Sequence, residues 1–270
     1  MPVVCLTSAS GSPGVTTTAV GLATLWPSPV VLVEADPTGG AAVLAGYFGG
    51  LLNPPGGLLD LVMAHRQNRL AEAVPGLLVD LPDTQAKLLS GTRSHAQASS
   101  LHALWEPLLE CLRDLERSGT DILIDAGRLG LEGWPAPLVL GADTTALLVG
   151  SDLPALSGAR SWAGYLAESA AGTPTRLGAV VVGPGRPYRP AEVCRTISLA
   201  VWETITWDPD GAAVFGRGGD RPRHFDRSGY LHSLQAVGEQ LRTAPAVPAG
   251  RPGVEWIMAL IQNRIANGQH

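Results

Sequence analysis

Lysine is nearly missing from this chain. Lys87 is the only one in 270 residues, and the other fixed cations are arginines, so no lysine close in sequence can serve a site elsewhere. Cysteine is scarce too: Cys5, Cys111 and Cys194 are odd in number, far apart and each set in an apolar segment. That pattern predicts buried reduced thiols and not a disulfide framework. No C-x-x-C or H-x-x-x-H spacing offers a metal site, and no G-x-S-x-G turn offers a hydrolase nucleophile. No apolar run reaches the ~18 residues of a membrane span. The N-terminus has neither the basic nor the apolar region of a secretory signal, so the expectation is a cytoplasmic protein. A net charge of −5 argues against broad nonspecific nucleic-acid binding. Arginines cluster at Arg217, Arg221, Arg223 and Arg227 with His224, and again at Arg186 and Arg189. Asp220 and Asp226 dilute the first cluster, which reads as a solvated loop, and DNA is not an expected partner.

What the chain does have is apolar substance: 45% hydrophobic and 16% charged residues are enough to bury a real core. Short β-branched runs alternate with helical segments, the pattern of a parallel sheet covered on both faces. Strands are expected at 3–8, 30–36, 86–91, 121–127, 144–150, 177–183 and 201–207. Helices are expected at 16–25, 57–66, 101–117, 158–169, 191–198 and 230–242. The predicted fold is α/β, three-layer α/β/α with a mostly parallel central sheet, over residues 1–243. A Pro/Gly-rich linker at 244–253 follows. Beyond it, 254–270 reads as an amphipathic helix and tail, with Trp256, Ile257, Leu260, Ile261 and Ile265 on one face. That face is expected to dock on its own domain or a partner. A membrane surface is the alternative, disfavoured because only Arg264 offers a positive charge.

The stretch "SASGSPGVTTTAVGLA" (8–23) joins the first strand to the first helix. Phosphate loops place successive backbone N–H groups at a helix N-terminus, add a lysine for the β- and γ-phosphates, and use a Ser/Thr hydroxyl for magnesium. Against the pattern G-x-x-x-x-G-K-[ST], only Gly14 and Thr16 match. Ala9 replaces the first glycine and Val15 the lysine. Thr16 to Thr18 would also start a helix well with no nucleotide present. Asp36 before Pro37 and Gly39 could likewise serve a turn alone.

Taken in order, these segments resemble the ParA/MinD family of ATPases, whose loop runs roughly K-G-G-V-G-K-T-T-x-A-x-x-L-A. Gly11, Gly14, Thr16, Thr17, Ala19, Leu22 and Ala23 match it. Ser10, Ser12, Pro13 and Val15 depart from it. "VVLVEADPTGG" resembles the family's second strand and switch, with Glu34 at its first aspartate and Asp36 at its second. "DILIDAG" resembles its Walker-B strand, with Asp125 at the acidic position. The resemblance covers roughly residues 2–243. It implies a nucleotide loop over Ser10, Gly11, Ser12, Pro13, Gly14, Val15, Thr16 and Thr17. It implies magnesium near Thr16 and Asp125, and Asp36 positioning the attacking water if the site is active. It also implies losses. The lysines expected at 10 and 15 are gone, Gly183 replaces the asparagine that reads adenine, and Thr206 replaces a proline of the last strand's tail. Phosphoryl transfer leans on such cations, and one lost contact costs about 10²-fold in rate.

The expected function is therefore a pseudo-ATPase of ParA/MinD type. It would act as a homodimeric scaffold that positions a bacterial assembly such as a pilus or secretion apparatus, without a resident cofactor. The alternative is an ATP- and magnesium-dependent switch in DNA partitioning or division-site placement. Arg128, just past the Walker-B strand, could lend a cation there, although an ordinary surface arginine explains it as well. Peripheral attachment at the inner face of the membrane follows only if the 254–270 helix binds lipid.

Overall fold

A computed structural model describes residues 2–10 and 13–243. The linker at 244–253 and the helix expected at 254–270, with Trp256, Ile257, Leu260, Ile261 and Ile265, lie outside the described residues, as do Gly11 and Ser12 of the loop. Eight strands form one sheet: β1 (Val3–Ser8), β2 (Val30–Glu34), β3 (Leu78–Asp80), β4 (Ala86–Leu89), β5 (Asp121–Arg128), β6 (Thr144–Gly150), β7 (Arg176–Val182) and β8 (Val201–Ile205). Their order is β3-β4-β2-β5-β1-β6-β7-β8. Every pairing is parallel except that of the short edge strand β3 with β4. The three-layer α/β/α fold with a mostly parallel sheet is the one the alternating pattern predicts.

Both faces are covered. Val3 and Cys5 point into one apolar layer, Val4 and Leu6 into the other, which is why the strand reads as a continuous apolar run. The first layer is closed by α3 (Leu58–Arg66), α4 (Leu70–Leu77), α5 (Trp105–Arg117), α6 (Ala136–Gly141), α7 (Leu153–Ala170) and α8 (Pro190–Ile197). The second is closed by α1 (Val15–Leu25), the single turn α2 (Ala42–Ala45), α9 (Pro209–Gly216) and α10 (Gly229–Arg242). Buried side-chain ties fix the sheet's lower edge. Trp26 Nε1–H and the Ser28 hydroxyl both donate to Asp121 Oδ2, at 2.8 and 2.6 Å, and Val3 N–H donates to Asp143 Oδ2 at 2.8 Å.

Several expectations need correction. The helix expected at 101–117 is a 3-10 turn at His95–Leu101 followed by α5 from Trp105. Pro107 has no N–H to donate, so it sits in the first turn, where none is needed. Of the three thiols only Cys5 is buried; Cys111 and Cys194 are half-buried, and all three are free. The helix expected from 158 begins five residues earlier, where Asp152 caps it by accepting the Ala155 N–H at 2.9 Å. No helix among the described residues is long and apolar enough to cross a membrane.

Candidate functional site

In an open parallel sheet, ligands gather at the carboxyl ends of strands where the chain reverses its direction of progress. Here that point is β1, flanked by β5 and β6. The chain leaves β1 at Ser8 and enters α1 through Gly14, whose φ of +84° sets the turn. Beside it, Glu34 at the end of β2 is in register with Asp125 on β5, and Leu6 of β1 is in register with Asp125 from the other side. Asp36 follows two residues on and accepts the Thr38 N–H at 2.8 Å. The sheet order thus gathers three carboxylates that are up to 91 positions apart (125 − 34) in the sequence.

Their environments differ. Asp125 is only 1% exposed. Burial pushes its carboxyl up to about 7, opposed by the facing Thr16 hydroxyl and the Gly127 N–H and reinforced by the charges of Asp36 and Glu34. Gly127 N–H donates to Asp125 Oδ1 at 3.0 Å. Oδ2 has no hydrogen-bond partner of good geometry among the described residues. Glu34 is also buried, which raises its carboxyl, but it is used twice: Val43 N–H donates to Oε1 and Gly91 N–H to Oε2, both at 2.9 Å. Glu34 is therefore a strut that ties α2 and the end of β4 to β2. Asp36 lies against Gly127, where an added Cβ would come within 2.3 Å of Asp36 Cγ. With φ of +58° as well, position 127 admits only glycine without strain.

Cations are the missing component. Val15 is 6% exposed and lies in the apolar layer with Val4, Leu6 and Ala19. Lys87 is spent on Asp80 at the β3–β4 edge, and Arg128 is exposed at the end of β5. The corner formed by Thr16, Asp36 and the unpartnered oxygen of Asp125 is a set of hard oxygen donors. It fits a magnesium ion that brings phosphate oxygens with it. No group of three or more His, Cys, Asp and Glu side chains among the described residues is placed to hold a metal by itself.

Ser10 and Pro13 line a second feature, a cleft of about 670 Å³ shared with Gly150, Asp152, Arg186 and Trp207. Arg186 stacks on the Trp207 ring, its Cζ 4.6 Å from the centroid. The sequence motif marked Gly183 as a lost base reader, yet a Cβ there would sit 3.2 Å from both Arg186 Cδ and Trp207 Cε3. The space beside position 183 is filled by this pair. Sequence reading missed it because the two residues come from different loops. The remaining expected residues fall as follows: Thr16 faces Asp125, Thr17 abuts Gly216 of α9, and Thr206 N–H donates to the Ser233 hydroxyl at 3.1 Å.

No protein-family model matches the chain, and no curated protein matches it in sequence. Solved structures do match in shape. The cell division protein MinD of Aquifex aeolicus superposes with a TM-score of 0.69 at 17% identity, covering 92% of this chain and 99% of MinD. The Pyrococcus furiosus cell division ATPase MinD gives 0.69 at 18% identity, with 91% and 100% covered. A ParA family ATPase from Chlorobium tepidum gives 0.67 at 14%, with 88% and 97% covered. In its eight-stranded, mostly parallel sheet and flanking helices the chain has the fold of the ParA/MinD-type P-loop ATPases.

Proposed function

We propose that this chain is a non-hydrolysing protein of ParA/MinD fold that dimerises and positions other components of a bacterial assembly, of the pilus or secretion-apparatus kind. The observation that carries the reading is the charge balance of the loop site. Three carboxylates converge there, while the lysine position of the loop is a buried valine. A triphosphate brings several negative charges of its own. Without loop cations its approach is opposed, and the charge developing in phosphoryl transfer has no loop lysine to neutralise it. What the site keeps serves the fold. Glu34 braces α2, Asp125 accepts the Gly127 N–H, and Asp36 packs on Gly127.

The scaffold role rests on analogy of fold. Structures of this shape include a MinC:MinD complex, which supports an assembly of this chain with itself or with a protein partner. One observation favours the ATP-switch alternative: the Thr16 hydroxyl still lies against the Asp125 carboxyl, the corner a magnesium ion would fill. Calorimetric titration with magnesium-ATP, with phosphate release followed in parallel, separates the two. The scaffold reading expects no turnover and affinity weaker than ~10 μM, about −7 kcal/mol. Tighter binding or measurable release of phosphate would overturn it. Sedimentation without nucleotide should show a dimer; a monomer that pairs only on adding ATP would favour the switch.

A further inference from the structure

Phenylalanine is rarer in this chain than tryptophan, with 3 of the one against 7 of the other. All three, Phe48, Phe215 and Phe225, line a single cavity of about 400 Å³. It opens between the last turn of α1, the turn joining β3 to β4, the end of α9 and the start of α10. Thr24 in its wall lies about 12 Å along α1 from Thr16, so the cavity is separate from the loop site. Its interior is apolar and well packed. Phe215 lies against Phe225 with ring centroids 5.8 Å apart, and Phe48 meets Tyr47 edge-on at 5.1 Å. Backbone contact fixes the walls. A Cβ at Gly46 would fall 2.4 Å from the Gly216 carbonyl oxygen, and one at Gly218 would fall 2.9 Å from that of Tyr47. The segment carrying Tyr47 and Phe48 is therefore pressed onto the one that follows Phe215, and the cavity is preformed.

The rim is charged, and unevenly so. Asp83, Asp226 and Arg221 stand exposed around the opening. Arg221 and Asp226 form a loose ion pair, Nη1 to Oδ1 at 3.9 Å. Asp83 pairs with no cation among the described residues, and its φ of +58° at the β3–β4 turn is one that aspartate and asparagine tolerate. Burial pushes the half-buried Tyr47 phenol up, with Arg221 opposing and Asp83 adding to the rise, so its hydroxyl lies within reach of both charges. Arg217, Arg223 and Arg227 belong to the same loop but do not line the cavity. The charge left over at the opening is one carboxylate. We infer that this cavity binds a small organic cation, an ammonium or quaternary ammonium group on an apolar or aromatic body, with the body against the three phenylalanines and the charge at Asp83. The volume lies within the range of small-molecule sites, and aromatic faces attract cations. An anion would meet two carboxylates and one guanidinium that is already engaged. Nothing in this site depends on the β1 loop, and it holds whether or not the chain hydrolyses ATP.

The test uses the full chain with 4-fluorophenylalanine at its 3 phenylalanine positions, so that every fluorine signal reports on the cavity. Benzyltrimethylammonium should move all three signals together, with one dissociation constant on the order of 0.1–1 mM. Benzyl alcohol, which lacks the charge, should bind about tenfold more weakly, and phenylacetate more weakly still. Calorimetry on the unlabelled chain should give the same order of affinities. Asp83→Asn keeps a residue that tolerates the backbone and should leave the melting curve unchanged. It should weaken the cation about fivefold while leaving benzyl alcohol unaffected. Fluorine signals that stay still, phenylacetate binding as tightly as the cation, or an unchanged cation affinity in Asp83→Asn would each overturn the assignment. ATP turnover by the unmodified chain would overturn the scaffold reading and leave this one standing.

Discussion

Glu34 and Asp125 stand opposite each other on adjacent parallel strands, in register, at 3% and 1% exposure. Each lies beside a like charge and is buried. The Glu34 carboxylate accepts backbone N–H groups at both oxygens, while Asp125 accepts one, from Gly127, and has the Thr16 hydroxyl beside it. That difference assigns them different work: Glu34 holds the fold together, and Asp125 stores unfavourable charge.

The stored charge makes a pH prediction. Asp125 rises from an ordinary 3.8 to about 7 in the folded chain, and Glu34 is raised too. A group whose folded value is raised binds its proton more tightly when folded. Its contribution is fully present below the unfolded value and lost as pH climbs through the folded value. For Asp125 the window runs from about 4 to about 7, with a ceiling on the order of 4 kcal/mol. In EDTA the chain should therefore melt several degrees higher at pH 5 than at pH 8. Asp125→Asn, which keeps an oxygen for the Gly127 N–H, should flatten that dependence. A pH profile identical in the two proteins would remove Asp125 as its source.

Removing the Glu34 strut should be costly. Glu34→Ala leaves the N–H groups of Val43 and Gly91 buried without acceptors, a loss on the order of 3 kcal/mol. For a chain of this size that lowers the melting temperature by roughly 6–12 °C. Hydrogen exchange at Val43 and Gly91 should accelerate well ahead of exchange in β1. Glu34→Gln retains one good acceptor and should recover part of the loss. If both variants melt like the parent, the loop is held by something else.

The contact of Gly127 with Asp36 can be tested as a pair. Gly127→Ala meets the Asp36 carboxylate and also strains a φ of +58°, so a loss of about 2–4 kcal/mol is expected. Asp36→Ala removes the obstacle and leaves only the backbone strain. The double variant should therefore be more stable than the sum of the single losses predicts, by about 1 kcal/mol or more. Additive losses would show that the two residues do not touch.

How much of this could be read from sequence depends on where the information lies. β1 and β6 match their expected bounds because apolar β-branched runs end at turn residues, a purely local signal. The helices α2, α4, α6 and α9 escaped; α2 and α6, at 4 and 6 residues, are too short for a helical period to emerge. In α4, Pro75 also argued against a helix. For α9 a usable signal existed: Asp208 before Pro209 is a helix start, with Asp208 accepting the Gly211 N–H. The carboxylates were legible because each sits in a short local motif, Glu34 and Asp36 at and just past the end of β2 and Asp125 within β5. The Arg186–Trp207 pair was not, because residues 21 apart (207 − 186) meet only after β7 and β8 align. From sequence, Gly183 showed only what was lost. The packing shows what took its place.

The loop's missing lysine supplies the last test. Val15 is 6% exposed and belongs to the apolar layer beneath α1, so a longer, charged side chain there must either crowd that layer or turn out toward the loop. Val15→Lys should cost about 1–3 kcal/mol of stability. It should not create ATP turnover, because position 10 still carries serine and the Thr16–Asp125 corner still lacks a balancing charge. If the lysine does turn outward, its charge should pull the Asp125 carboxyl back toward the ordinary range. The difference in stability between pH 5 and pH 8 should then shrink even while hydrolysis stays absent. Phosphate release above background in this single variant would show that one cation is enough, and that the site is much closer to an enzyme than its charge balance indicates.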